Sequence, residues 1–458
     1  MSSATPLIWP EASDLSQHTH HRILMLSYYY PPCEATGARR ADGLHLWLPK
    51  FGWEPALLTA EWGVGKRGVV EVPHRGPLDD LRDKLQARSK SARVARPSTG
   101  SSSLAELGQS MQQWYDAHMG WSAKVVREAV ARNQKRRIDL VWATCTPFPL
   151  AYAAQQLASA LRCPYVVDLR EPLPEHLASA SPRHWLLNAV ANASAVTIAS
   201  PACATPTLAR VRKNFPPICI LGGTWHREAA CSRQASQFIL LHAGTLHKQA
   251  RDPELLFEAL AALAQEIPDF RRDTRVRFIG EDSHYASLAP AYKNVADMCE
   301  LAETLPNAEV QQEMQDASVL LIINGTDERY AEPITGKFFD YLPFEAPILS
   351  IGGTAGLPSE LLGWTGAGAW AGTVETITAA IRALYLAWKA SGIVRAPRDM
   401  DALAFLSQRR MAGEFAELFN AIGEHRDLIL RGILPWTGDD ANRQFTDGLS
   451  YKPMSMEE

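Results

Sequence analysis

Ala331-Glu332-Pro333-Ile334-Thr335-Gly336-Lys337-Phe338-Phe339-Asp340-Tyr341-Leu342 is the stretch whose reading decides the fold. Before it runs Val319-Leu320-Leu321-Ile322-Ile323, unbroken and apolar, as a parallel strand buried on both faces must be. After it comes Pro347-Ile348-Leu349-Ser350-Ile351, closed by Gly352-Gly353. Between the two, Thr335 is a good N-cap and Gly336 leaves the first helical turn open. Phe338, Phe339 and Leu342 supply a buried stripe. The unit is therefore strand, loop, helix, strand. Its loop opens at the carboxyl end of the first strand, where open α/β sheets hold ligands. Free N–H groups at the helix start attract an anion. Glu332 and Asp340 place a carboxylate on either side of that spot.

The same pattern recurs toward the N-terminus. Phe238-Ile239-Leu240-Leu241-His242-Ala243 reads as a strand running into Gly244-Thr245. Lys248 and Arg251 follow, then Asp252 and Pro253 as N-cap and first residue of a helix through Leu263. Arg22 to Tyr30 reads as an earlier strand, ended by Pro31-Pro32, with a loop from Cys33 to Gly37 and a helix carrying Leu44, Trp47 and Leu48. This opening lacks G-x-G-x-x-G, which argues against a nicotinamide or flavin cofactor. Pro164-Tyr165-Val166-Val167-Asp168-Leu169-Arg170 is a strand with polar residues at its carboxyl end, the place for chemistry in an α/β sheet. Its plainer reading is a strand-end salt-bridge cluster. For Glu332 and Asp340 the plainer reading is a loop acid and a solvated helix acid.

At these residues the chain resembles a retaining glycosyltransferase of the GT4 type, in the glycosyltransferase family 1/4 group. The family carries two acids separated by seven residues with a glycine at the helix start; here they are Glu332, Asp340 and Gly336, with Asp340 where Glu is usual. A GT4 subgroup has an acidic–x–Arg–acidic run, matched by Asp168, Arg170 and Glu171, with Glu171 where Asp is usual. The hinge departs from the family, with Gly222-Gly223-Thr224-Trp225 in place of Asn-Gly and a nearby acid. The resemblance covers most of residues 22 to 425, with its landmarks in the family's order.

It implies the GT-B fold: two Rossmann-like domains with parallel sheets facing a cleft, and a C-terminal helix returning to the N-terminal domain. The divisions expected are a mobile 1–20, an acceptor-side domain over 21–222, a nucleotide-sugar domain over 223–405, a returning helix over 406–432 and a tail over 433–458. Gly37, Gly244, Thr245, Lys248, Arg251, Gly336, Lys337 and Asp340 are then donor-binding, with either Lys248 or Arg251 on the diphosphate. Glu332, Asp168 and Arg170 are the catalytic candidates. Glu332 orients the sugar, Asp340 holds the ribose, and the run at Asp168 positions the acceptor. The donor is a nucleotide-diphosphate sugar and the acceptor a glycan or lipid-linked intermediate of polysaccharide biosynthesis. No Asp-x-Asp metal site stands in a suitable loop, so neither metal nor cofactor is expected. An epimerase of the same fold and a degenerate binding subunit are the other two readings.

Composition agrees. The chain has 458 residues, enough for two domains of about 200 residues each. Hydrophobic residues are 46% and charged residues 21%, and the net charge of −4 carries no nucleic-acid signature. Seven scattered cysteines without a C-x-x-C pair fit reduced thiols and a cytoplasmic setting. Met1 to His21 does not read as a signal peptide, and no apolar run reaches the roughly 20 residues of a membrane span. Residues 79 to 103 form a basic insertion with Arg82, Lys84, Arg88, Lys90, Arg93 and Arg96. A solvated loop is the plain reading. Peripheral contact with the inner face of a membrane, beside a lipid-linked acceptor, is the sharper one.

Overall fold

The computed structural model describes residues 21–33, 36–73, 104–133, 137–173, 184–212, 216–224, 236–246, 251–324, 334, 336–353 and 355–424. The N-terminal 20 residues, the basic insertion, Trp225 and the tail all lie outside these residues. Among those described, the chain forms two compact units, and it leaves the first after Leu221 and re-enters it at Met411.

The first unit is built on a parallel sheet of β1 (His21–Ser27), β2 (Trp53–Ala60), β3 (Val69–Val72), β4 (Leu140–Cys145), β5 (Tyr165–Leu169), β6 (Ala195–Ile198) and β7 (Ile218–Cys219). Its order is β3-β2-β1-β4-β5-β6-β7. The direction of winding reverses between β1 and β4, and their carboxyl ends part there. β2, β4 and β5 are buried at every position, as strands covered on both faces must be. One face packs on the helices Leu104–Arg132, Pro149–Leu161 and His184–Ala191, through residues such as Trp121, Leu157 and Leu186. The other face packs on the helix Thr36–Trp47 and on Met411, Phe415 and Phe419 of the helix Gln408–Gly423. Trp53 meets Phe419 edge to face at 5.4 Å and donates its indole N–H to Asn420 at 2.9 Å.

The second unit repeats the scheme with β8 (Phe238–Ala243), β9 (Thr274–Ile279), β10 (Cys299–Ala302), β11 (Val319–Ile323), β12 (Ile348–Ile351) and β13 (Gly368–Ala371). Its order is β10-β9-β8-β11-β12-β13, again all parallel, so its reversal lies between β8 and β11. The helices Glu254–Glu266 and Val374–Ser391 cover one face through Phe257, Leu260, Ile381 and Tyr385. At the start of this unit the Thr224 amide donates to Leu406 at 2.7 Å, and Gln408 donates back to Thr224 at 3.2 Å. The two segments that lead out of the unit are therefore zipped together by their backbones.

Three differences from the sequence reading stand out. The first helix begins at Thr36, so Gly37 lies in its first turn rather than in the preceding loop. β1 ends at Ser27, and Tyr28, Tyr29 and Tyr30 lie beyond it. The helix Gly336–Tyr341 has only six residues.

That short helix is fixed at its C-terminal end. Tyr341 is fully buried, and its hydroxyl accepts the Ala243 amide at 2.9 Å. Beyond it, Arg398 donates to the carbonyls of Leu342, Phe344, Ala346, Ala367 and Ala396. Burial pushes the Arg398 pKa down to about 10, so it is still charged at neutral pH. We predict that Arg398→Met strands these acceptors and costs about 2–4 kcal/mol. Urea unfolding measures the loss. Hydrogen exchange should quicken first in the peptide spanning 336–346, and unchanged exchange there would show that Arg398 does not hold the helix.

Candidate functional site

The second unit gathers basic groups at the carboxyl end of β8, beside its topological reversal. Gly244 follows β8 with φ of +129°, and a Cβ on it would stand 2.2 Å from Lys337 Cε and 2.8 Å from Nζ. The missing side chain is thus what admits the lysine. Lys337 Nζ lies 3.3 Å from His242 Nε2, and His242 Nδ1 lies 3.1 Å from the Leu321 carbonyl oxygen on β11. A carbonyl only accepts, so Nδ1 carries the proton and Nε2 receives a hydrogen bond from Lys337. The imidazole is fully buried. Burial, and then the charges of Lys337 and Arg251, hold its pKa well below the ordinary histidine value. Burial, with Arg251 second, likewise lowers the Lys337 pKa well below the usual lysine range.

Arg251 donates to the Thr245 carbonyl at 2.8 Å, closing the loop that begins at Gly244. Among the described residues neither Lys337 nor Arg251 makes an ion pair. Gly336 opens the helix, and Asp340 stands half-buried near its end. A helix of six residues carries little dipole, so positive charge here comes from the side chains rather than from the helix terminus that the sequence suggested. Glu332, Thr335 and Lys248 lie outside the described residues. His242 is the functional group that sequence reasoning missed. Inside an apolar strand it carries no signal until the fold sets Lys337 against it.

In the first unit, Asp168 is 0% exposed. Arg40 forks onto it with two bonds of 2.8 Å, Thr144 donates at 2.9 Å and Thr197 at 2.6 Å. Each carboxylate oxygen therefore accepts twice, from groups on β4, β6 and the first helix. The sequence placed Asp168 among catalytic groups; its geometry here is that of an internal strut, enclosed and fully hydrogen-bonded. The one-strand periodicity that made it look like a strand-end acid does not reveal which face it points to.

Arg170, at the carboxyl edge of β5, donates to the Thr146 carbonyl at 2.6 Å and lies 5.9 Å from the Tyr29 ring centre. A Cβ at Gly37 would stand 2.4 Å from its Nη1. Gly37 was expected to serve the donor, yet the room it leaves is filled by this guanidinium. Arg170 Nε is buried with no hydrogen-bond partner among the described residues.

No protein-family model matches the chain, and no curated protein matches it in sequence. Solved structures do match along nearly its whole length. Anabaena Alr3699/HepE, in complex with UDP and glucose, superposes with a TM-score of 0.55 at 14% identity, over 88% of this chain and 100% of that one. The alpha,alpha-trehalose 6-phosphate synthase of Burkholderia multivorans gives 0.55 at 9% identity, over 89% and 100%. The UDP-forming alpha,alpha-trehalose-phosphate synthase of Burkholderia vietnamiensis gives 0.55 at 10%, over 89% and 100%. With its parallel sheets of seven and six strands, the chain has the GT-B fold.

If Asp168 is a strut, Asp168→Ala leaves the Arg40 charge buried and unpaired, and destabilises by about 3–5 kcal/mol. Denaturant unfolding followed by tryptophan fluorescence should show this loss. Wild-type stability with abolished activity would instead return Asp168 to the substrate.

Proposed function

We propose that the protein is a glycosyltransferase that moves a sugar from a nucleotide-diphosphate sugar to a glycan or lipid-linked acceptor, with retention of anomeric configuration. The observation that carries this reading is the pair Lys337 and Arg251, packed about Gly244 with no carboxylate bound to either among the described residues. Two half-buried basic groups with no bound carboxylate among the described residues call for an anion. A diphosphate supplies the matching charge at the place where the fold opens for ligands. The neighbours solved with UDP and glucose, or known as UDP-forming synthases, support the donor class.

In this reading the sugar–phosphate bond stretches toward an oxocarbenium-like transition state. Negative charge then grows on the leaving diphosphate, so Lys337 and Arg251 bind that state more tightly than the ground state. Glu332 orients the sugar hydroxyls and Asp340 holds the ribose. Arg170, in the first unit, positions the acceptor. The basic side chains do the work often given to a divalent ion. Among the described residues no three His, Cys, Asp or Glu side chains are grouped to hold one. No helix among them is long and apolar enough to cross a membrane. A lipid-linked acceptor would be met through the basic insertion.

The test is a panel of nucleotide sugars in thermal-shift and transfer assays, since a ligand of the folded state raises the melting temperature. One donor should stabilise the protein and support transfer that survives EDTA. Lys337→Met should cut kcat/KM on the order of 100-fold, as loss of one oxyanion-stabilising donor does elsewhere. Glu332→Gln should lose most turnover while keeping donor binding. A panel in which no nucleotide sugar stabilises the protein or is consumed would overturn the reading.

A further inference from the structure

The proposed donor site contains a feature that charge alone does not explain. Its lysine is not aimed by a carboxylate, the usual partner for an ammonium, but by a neutral imidazole. The chain of bonds runs from Lys337 Nζ to His242 Nε2, and from His242 Nδ1–H to the Leu321 carbonyl. It bridges β8 to β11 one step beyond the last paired residues, Leu241 and Leu320. The imidazole and its acceptor carbonyl are therefore both built into the sheet, and the ring cannot turn without losing that carbonyl.

We infer that His242 and Lys337 form a proton-coupled binding pair, in which the fixed imidazole aims the lysine nitrogen beneath Gly244 and binding of the diphosphate draws one proton from solvent onto that nitrogen. This rests on the donor-site reading above and deepens it.

The groups facing Lys337 account for the coupling. From β8 comes His242, which only accepts. From the segment ahead of the helix Glu254–Glu266 comes Arg251, whose charge opposes a second cation. From its own helix comes Tyr341, whose hydroxyl is occupied by the Ala243 backbone. Asp340, three residues on, has an interaction of its own and makes no ion pair with Lys337. From β11 the group offered is the Leu321 carbonyl, already taken by His242. Among the described residues the amine thus meets a hydrogen-bond acceptor but no counter-charge. Burial favours its neutral form. A diphosphate reverses the balance by bringing negative charge to the same nitrogen. The transfer is simple in its accounting: the amine lone pair takes a proton from a buffer acid, and the N–H so formed donates to a phosphate oxygen.

The sign follows from linkage. The bound state holds a proton that the empty state lacks, so affinity falls as pH rises through the interval between the two pKa values of Lys337. The slope in that interval is up to about tenfold per pH unit for one proton.

Calorimetric titration of the full chain with UDP tests this directly. The measurement is made at about pH 8.5, where the nucleotide diphosphate is already fully ionised, in buffers of different ionisation enthalpy. Uptake approaching one proton per UDP, with weaker binding at higher pH, is the expected result. Lys337→Arg is always charged, and should bind UDP with no proton uptake. His242→Gln keeps an acceptor for the amine and should retain more affinity than His242→Leu. UDP bound by the wild type without proton uptake would overturn the inference and leave the donor site standing. Uptake that persists in Lys337→Arg would also overturn it, by placing the proton elsewhere. If neither UDP, GDP, ADP nor pyrophosphate binds, the donor-site reading itself falls and takes the inference with it.

Discussion

The Arg40–Asp168 pair is the contact on which the first unit depends. It is enclosed, with Asp168 0% and Arg40 7% exposed. A charge so placed is tolerable only when its hydrogen bonds are complete. They are, and each ties in a different part of the chain. Asp168 gathers β4, β5 and β6 through Thr144 and Thr197. Arg40 brings in the first helix, and its remaining N–H groups reach the carbonyls of Ile220 at 2.9 Å and Leu221 at 3.3 Å. Those two residues are the last of the unit before the chain departs. The same guanidinium stands 5.0 Å from the centre of the Phe415 ring, on the segment that returns. One ion pair thus fixes the sheet, its first helix, the exit and the re-entry.

The second unit solves a different problem. Its basic groups stay close to a loop without a counter-charge among the described residues. The solution is mechanical. Gly244 makes room, His242 supplies a neutral acceptor, and Thr245 holds Arg251 by a carbonyl. Tyr341 and Arg398 then pin the six-residue helix that carries Lys337. None of these contacts neutralises a charge. Such an arrangement costs stability, because like charges close together are unfavourable, and on the proposed reading a bound diphosphate relieves that cost. The first unit itself uses arginine in two senses: Arg40 is saturated by acceptors, whereas Arg170, at the carboxyl end of the same sheet, keeps a buried Nε without a partner among the described residues.

The sequence by itself determined the alternation of strand and helix. Apolar runs such as Val319–Ile323 and Phe238–Ala243 have no polar residue pattern to satisfy on a solvated face, so they read as buried parallel strands and are found so. Glycine and basic residues after those strands marked their carboxyl ends as the place to expect a ligand. Val69–Val72, Cys299–Ala302 and Gly368–Ala371 are four-residue strands that no long apolar run announces. β3, β10 and β13 lie at sheet edges, where pairing with one neighbour demands less of the side chains. What only the tertiary structure decided is direction and company. That Asp168 is enclosed in the core depends on Arg40, more than a hundred residues earlier, and that the room at Gly37 is taken by Arg170 depends on the same folding together of distant segments. His242 gains meaning from Lys337, 95 residues on. Local sequence fixes backbone periodicity because that is set by neighbours within a few residues; the state and role of a buried charge are set by whichever distant partner shares its low-dielectric surroundings.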